Sequence, residues 1–108
     1  MSEIVKKSVD NCLKIIESLE QSADKTTSNE SKAIVLKTID FLKEMEKKVW
    51  IRTVRGKEAS LLVKSNTEKL KDIIQSGTSI QIIDQTKKLD ESVSKMQREF
   101  ERSKWLVT

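Results

Sequence analysis

The residues best suited to binding chemistry lie in segment 47–57, which carries five cationic side chains and no acidic one. On a helix, Lys48, Arg52 and Arg55 would stand at i, i+4 and i+7 and form one positive stripe. Such a stripe can contact a phosphate backbone, with Trp50 stacking on a base, or an acidic protein surface. In the alternative interpretation Trp50 and Val54 are core residues and the cations form a solvated outer face.

Three interpretations of this segment therefore stand together: a solvated face, a surface for an acidic protein partner, and a nonspecific nucleic-acid site. Glu44, Glu46 and Glu58 flank the segment and weaken its electrostatic field. The net charge of the whole chain is only +4, so the local distribution of charge matters more than the total.

Apolar residues that point away from the predicted core are the second kind of candidate. On helices, Ile51, Trp105 and Leu106 would all point outward, and aromatic anchors dominate the energetics of many protein interfaces. For Trp105 and Leu106, contact with a partner and packing against the same domain are both open. The candidate partner-binding residues are Lys48, Trp50, Ile51, Arg52, Arg55, Trp105 and Leu106.

Catalytic chemistry has few candidate residues in this sequence. His and Tyr are absent, which removes the usual general base and the commonest metal ligand. The single Cys12 lies in an apolar helical seam, where a buried thiol is unreactive. No glycine-rich phosphate loop is present. We therefore expect no enzymatic activity and no catalytic, cofactor-binding or metal site.

Composition bounds the fold class and the compartment. The 108 residues form one expected domain, 1–108, and the absence of Pro, with only 2 Gly, favours an all-α fold. The single Cys suits a reducing compartment, and the first residues lack the apolar run of a secretory signal. No apolar run approaches the roughly 18 residues that span a bilayer. We expect a cytoplasmic protein that does not enter a membrane.

The last thirty residues contain the clearest helical pattern. Apolar or small residues recur there at spacings of four and three, which is a heptad seam, at Ile82, Thr86, Leu89, Val93, Met96, Phe100, Ser103 and Val107. The seam is a narrow stripe about 40 Å long at 1.5 Å per residue, and another helix must cover it. Helix one of the same chain and a second copy in a coiled-coil homo-oligomer are both consistent with it.

The apolar pattern of the residues before this seam predicts helices over about 2–23, 28–55 and 57–76. The seam helix follows over 79–107. The second helix is apolar around more than half of its circumference, which indicates a central element with several neighbours. Gly56 is expected to break or kink the chain between the second and third helices, although one continuous kinked helix is the alternative. The predicted architecture is an antiparallel four-helix bundle.

Local signals predict how these helices begin and end. Thr27 and Glu30 have capping-box spacing for the second helix. Gly77 suits a left-handed position after the third helix, and Thr78 or Ser79 can cap the fourth. Asn66 either fixes register or oligomer state from a buried seam position, or caps a helix that restarts at this point. The capping-box spacing of Ser65 and Glu68 favours the cap.

A short stretch, Thr53-Val-Arg-Gly56 with Ala59, Leu62-Val-Lys64 and Glu68-Lys-Leu70, resembles part of the helical N-terminal domain of transcription elongation factor S. The similarity covers under a third of the chain. The family's tryptophan–lysine ending is missing, and the loop before the threonine is too short. We therefore transfer no function from this resemblance.

The sequence thus predicts a non-enzymatic helical interaction or assembly module that presents a helix face to a protein partner. Nonspecific nucleic-acid binding through segment 47–57 is the first alternative. A structural homo-oligomer formed through the fourth helix is the second.

Overall fold

The computed structural model describes the backbone of residues 2–107 and the side chains of residues 2–103. It contains four helices, α1 (Glu3–Glu20), α2 (Lys25–Glu46), α3 (Val54–Ser76) and α4 (Ser79–Val107), with a 3₁₀ turn (Val49–Arg52) between α2 and α3. No strand occurs within the described residues. The predicted all-α four-helix bundle is confirmed. No helix in the described part of the chain is long and apolar enough to cross a bilayer.

Each helix packs against two of the other three. α1 contacts α2 and α3, and α4 contacts α3 and α2, so α2 and α3 lie diagonally across the bundle, as do α1 and α4. The expectation that the second helix is the central element is therefore wrong. All four helices share one core because each buries one face between two neighbours.

Polar contacts between helices give their directions. In α2 and α4, Ser31 lies 3.0 Å from Thr86 and Lys37 lies 3.3 Å from Asp90, so these neighbours run parallel. α1 runs antiparallel to α2, since the start of α1 contacts the end of α2 while Lys32 pairs with Glu20 at the opposite end. Successive helices alternate in direction as predicted, but neighbours along the sequence are not always neighbours in space.

The heptad seam of α4 lies inside this bundle. Leu89, Val93 and Met96 are fully or almost fully buried, and Ile82 and Phe100 pack against the core. The covering helices are α3 and α2. Packing of the seam against the first helix is therefore wrong, because α1 lies across the diagonal from α4.

Buried polar contacts join three of the four neighbouring helix pairs. They are Asn11 to Thr67 between α1 and α3, Ser31 to Thr86 between α2 and α4, and Gln85 to Asn66 between α3 and α4. A buried polar group loses its hydrogen bond if a helix slides by one turn, so these contacts fix the axial register.

Asn66 belongs to this set and does not cap a helix. α3 continues without a break from Val54 to Ser76, and Asn66 is buried within it. Its side-chain oxygen accepts a hydrogen bond from Gln85 at 3.0 Å, while its amide donates to the Leu62 carbonyl at 3.1 Å. The capping interpretation is wrong, and Asn66 occupies the buried position that the seam interpretation predicted.

Two other helix ends differ from the sequence-based expectations. α2 starts at Lys25 with Asp24 as its N-cap, whose carboxylate accepts a hydrogen bond from the Thr27 amide, so the predicted box beginning at Thr27 is wrong. Gly77 has a φ of −89° and is not left-handed. A side chain at Gly77 would instead meet the Ile73 carbonyl oxygen at 2.6 Å, so the site needs glycine for space.

The start of α4 follows its prediction. Thr78 caps the helix by accepting a hydrogen bond from the Gln81 amide at 3.2 Å, and the Gln81 side chain accepts one from the Thr78 amide at 2.9 Å. This reciprocal pair satisfies two amides that would otherwise lack helical partners.

The connection from α2 to α3, here called the corner (residues 47–53), is where the predicted boundaries fail most. α2 ends at Glu46, nine residues before its predicted end at 55, and Lys48 and Thr53 have extended backbone conformations on either side of the 3₁₀ turn. Helices two and three are therefore separate, and the break precedes Gly56. The corner carries the chain diagonally across the end of the bundle.

Thr53 and Gly56 hold the corner against α3. The Thr53 hydroxyl donates to the Trp50 carbonyl at 2.6 Å and accepts from the Gly56 amide at 3.1 Å, which makes Thr53 the N-cap of α3. A Cβ atom at Gly56 would lie 2.9 Å from the Ile51 Cα and closer still to the Trp50 carbonyl oxygen. Backbone therefore packs directly on backbone at this point, and only glycine fits.

We predict that Gly56→Ala destabilises the protein by about 1–3 kcal/mol, because the added methyl group overlaps fixed backbone atoms. The direction of the change is informative, since alanine ordinarily stabilises a helix by roughly 0.5–1 kcal/mol over glycine. Urea unfolding followed by circular dichroism measures the difference.

The matched control is Lys57→Ala, which changes an exposed side chain at the next position of α3. It should leave the free energy of unfolding nearly unchanged. Equal or greater stability of Gly56→Ala would contradict the close packing of the corner.

Candidate functional site

Trp50 and Ile51 anchor the corner in the core. Their exposed fractions are 8% and 3%, and the Trp50 ring meets the Phe100 ring edge to face with centroids 5.6 Å apart. Ile51 does not point outward as predicted, because residues 49–52 turn as a 3₁₀ helix and do not extend α2. The interpretation of Trp50 as a core residue is confirmed, and little of either side chain is available to a partner or to a stacked base.

The cations of the segment are exposed but do not form the predicted stripe. Lys48 precedes the 3₁₀ turn, Arg52 ends it, and Arg55 lies in the first turn of α3. The spacing i, i+4, i+7 aligns side chains only on one continuous helix, and none exists here. The three positive charges are therefore exposed but not aligned along one helix face.

Two valines complete this surface, and the interpretation of Val54 as a core residue is wrong because its side chain is mostly exposed. Val49 and Val54 have exposed fractions of 75% and 74%, the largest among the big apolar side chains of the described residues. We call the exposed residues of this region the corner surface; they are Lys48, Val49, Arg52, Val54, Arg55 and Lys57. The signal that could have revealed part of it is Thr53, a residue type favoured at helix N-caps, because a helix that begins after Thr53 is not a continuation of α2.

The positive charge of the corner surface is largely uncompensated. Within the described side chains, only Lys47 among the five cations of segment 47–57 forms an ion pair, with Glu44 at 3.2 Å. The Glu46 carboxylate accepts a hydrogen bond from the Ser2 backbone amide at 2.6 Å. Two of the three flanking acids are thus engaged by other groups, and Glu58 is the exposed acid that follows Lys57.

Helix electrostatics separates these cations into two groups. Lys47 and Lys48 follow the C-terminus of α2, where the helix dipole is negative and cations stabilise the fold. Arg55 lies in the first turn of α3, which contains no acidic residue. Lys57 follows Arg55 two residues later on the same helix. Cations at a helix N-terminus oppose the dipole. Stability of the free chain therefore does not account for Arg55.

The second pair of predicted contact residues, Trp105 and Leu106, lies outside the side chains that the structure describes. The backbone at both positions is part of α4.

The described part of the chain contains no group of side chains arranged for nucleophilic attack or for metal binding. Cys12 is buried, and desolvation raises the pKa of its thiol to about 12, so the thiolate form that attacks or binds metal is disfavoured. No group of three or more Cys, Asp or Glu residues suited to a metal ion occurs among residues 2–103.

A depression of about 240 Å³ lies at the opposite end of the bundle, beside the start of α2. Its main polar group is the Asp24 carboxylate, which accepts hydrogen bonds from the Ser79 hydroxyl at 2.7 Å and from the Thr27 hydroxyl at 2.7 Å. These bonds, Ser79 first, lower the pKa of Asp24. They tie the start of α2 to the start of α4 and give this end a structural role.

Comparison with protein-family models, with curated proteins and with solved structures finds no match to this chain.

We predict that Asp24→Asn reduces the acid sensitivity of the fold. A carboxyl group with a lowered folded pKa stabilises the protein fully above its unfolded value, and this contribution is lost as the pH falls through the folded pKa. Wild-type stability should therefore decline below about pH 3.8, the ordinary value of Asp, more steeply than that of the variant.

Thermal unfolding at a series of pH values measures both curves, and Asp84→Asn on α4 serves as the exposed control. Identical acid dependence of wild type and Asp24→Asn would contradict the hydrogen-bonding role of Asp24.

Proposed function

We propose that the chain is a non-enzymatic helical module that binds a protein partner through the corner surface. The observation that carries this proposal is the exposure of Val49 and Val54, at 75% and 74%, on either side of the buried residues Trp50 and Ile51. Apolar side chains within a charged rim are typical of the centre of a protein interface. The proposal also places the protein in the cytoplasm, where the single thiol of Cys12 stays reduced.

Support for binding at this position comes from how firmly the corner is held. Trp50 is packed against Phe100, Thr53 caps α3, and Gly56 brings the two backbones into contact. A surface that is already ordered loses little conformational entropy when a partner binds. The corner is thus suited to presenting its exposed side chains in one fixed arrangement.

A protein partner fits these side chains better than a nucleic acid does. A phosphate backbone offers nothing for exposed Val49 and Val54 to pack against, and the burial of Trp50 leaves no aromatic platform for bases. The homo-oligomer alternative has also lost its supporting observation, since the α4 seam is covered by α2 and α3 of the same chain.

The proposal predicts that Val49→Ser with Val54→Ser weakens partner binding about tenfold or more, since each valine buried at an interface contributes roughly 1.5 kcal/mol. Stability should change little because both side chains are exposed in the free chain. Tagged wild type and variant are each incubated with nuclease-treated lysate of the native cell. Quantitative mass spectrometry compares the proteins that they capture. The affinity of any protein lost from the variant is then measured directly.

The matched control is Leu13→Ser with Leu61→Ser, which removes two exposed leucines, 54% and 48% exposed, from α1 and α3 outside the corner. The control should keep the same partners as the wild type. Partners retained equally by the valine variant would refute the proposal, and so would partners that are captured from untreated lysate but lost after nuclease treatment.

A further inference from the structure

Building on the proposed function, we infer that the partner segment that docks on the corner surface is acidic and brings its carboxylates to the start of α3. Lys48, Arg52, Arg55 and Lys57 are exposed and form no ion pairs among the described side chains. Four exposed like charges within residues 48–57 select a partner of the opposite sign and repel a basic one.

The position of Arg55 gives the inference its direction. It adds positive charge to the N-terminal end of a helix dipole that is already positive there, with no acid in the first turn to compensate. This arrangement is unfavourable in the free chain and becomes favourable when a carboxylate approaches. The charge placement therefore lowers the stability of the free protein and strengthens binding of an anionic segment.

The two valines define the rest of the partner segment. Val49 precedes the buried anchors of the corner and Val54 follows them, so cationic and apolar side chains alternate along the exposed chain. A polyanion without apolar groups would leave both valines in water. The occupant that satisfies the whole surface is a peptide segment in which apolar side chains stand among Glu or Asp residues.

The experiment is a titration of the ¹⁵N-labelled chain, at low salt, followed by amide chemical shifts. Three probes are compared: a synthetic peptide in which single leucines separate pairs of glutamates, the same peptide with glutamine in place of glutamate, and oligothymidylate. The inference predicts that the glutamate peptide alone shifts the amides of 47–57, and that its affinity falls as salt is added.

The decisive variant is Arg55→Glu with Lys57→Glu. It should bind the glutamate peptide at least tenfold more weakly and, because acidic residues now lie at the start of α3, unfold at a higher temperature than wild type. Loss of binding together with a gain in stability separates a binding role from damage to the fold. The control, Lys87→Glu with Lys88→Glu on the exposed side of α4, should leave binding within twofold of wild type.

The remaining outcomes overturn specific parts of the argument. Equal shifts with the glutamine peptide would overturn the acidic partner and leave protein docking at the corner intact. Tighter binding of oligothymidylate at 47–57 would overturn the proposed function as well. Absence of shifts at the corner with the glutamate peptide, or a lower unfolding temperature of the double variant, would overturn the inference itself.

Discussion

Because α3 lies diagonally across the bundle from α2, the chain that joins them has to cross the end of the core. Residues 47–53 make this crossing, and two anchors, Trp50 and Ile51, cover the end of the core as they do so. The crossing is tight enough that the first turn of α3 contacts the backbone of the 3₁₀ turn, which Gly56 alone allows. The exposed face of the corner, and hence the candidate site, is a direct consequence of this geometry.

The crossing also explains why the bundle depends on polar contacts for its register. α1 and α3 run parallel, as do α2 and α4, so no short hairpin loop aligns these pairs. Buried hydrogen bonds such as Ser31 to Thr86 and Asn11 to Thr67 supply the alignment. Apolar residues alone tolerate sliding between helices, whereas a buried polar group without a partner costs about 1–3 kcal/mol.

The sequence predicted the features that depend on periodicity. The seam of α1, the seam of α4 and the Thr78 cap follow from local spacing and appear in the structure. Prediction from the sequence failed where a tertiary contact decides the local conformation. Segment 47–53 has the composition of a helix, but α2 ends at Glu46 and the extended backbone at Lys48 redirects the chain, so that both Trp50 and Ile51 are buried at the end of the core. The exposure of Val49 and Val54 results from the same break in the chain, and the helical pattern of the sequence did not predict it.

The exposed surface at the corner therefore depends on Trp50 being held inside the corner against α4. A nuclear Overhauser spectrum of the aromatic protons tests this most directly, since the Trp50 and Phe100 ring centroids are 5.6 Å apart. We predict cross-peaks between the Trp50 indole and the Phe100 ring, with Trp50 shifts far from those of a free indole. Random-coil Trp50 shifts without a cross-peak to Phe100 would contradict the corner and the surface built on it.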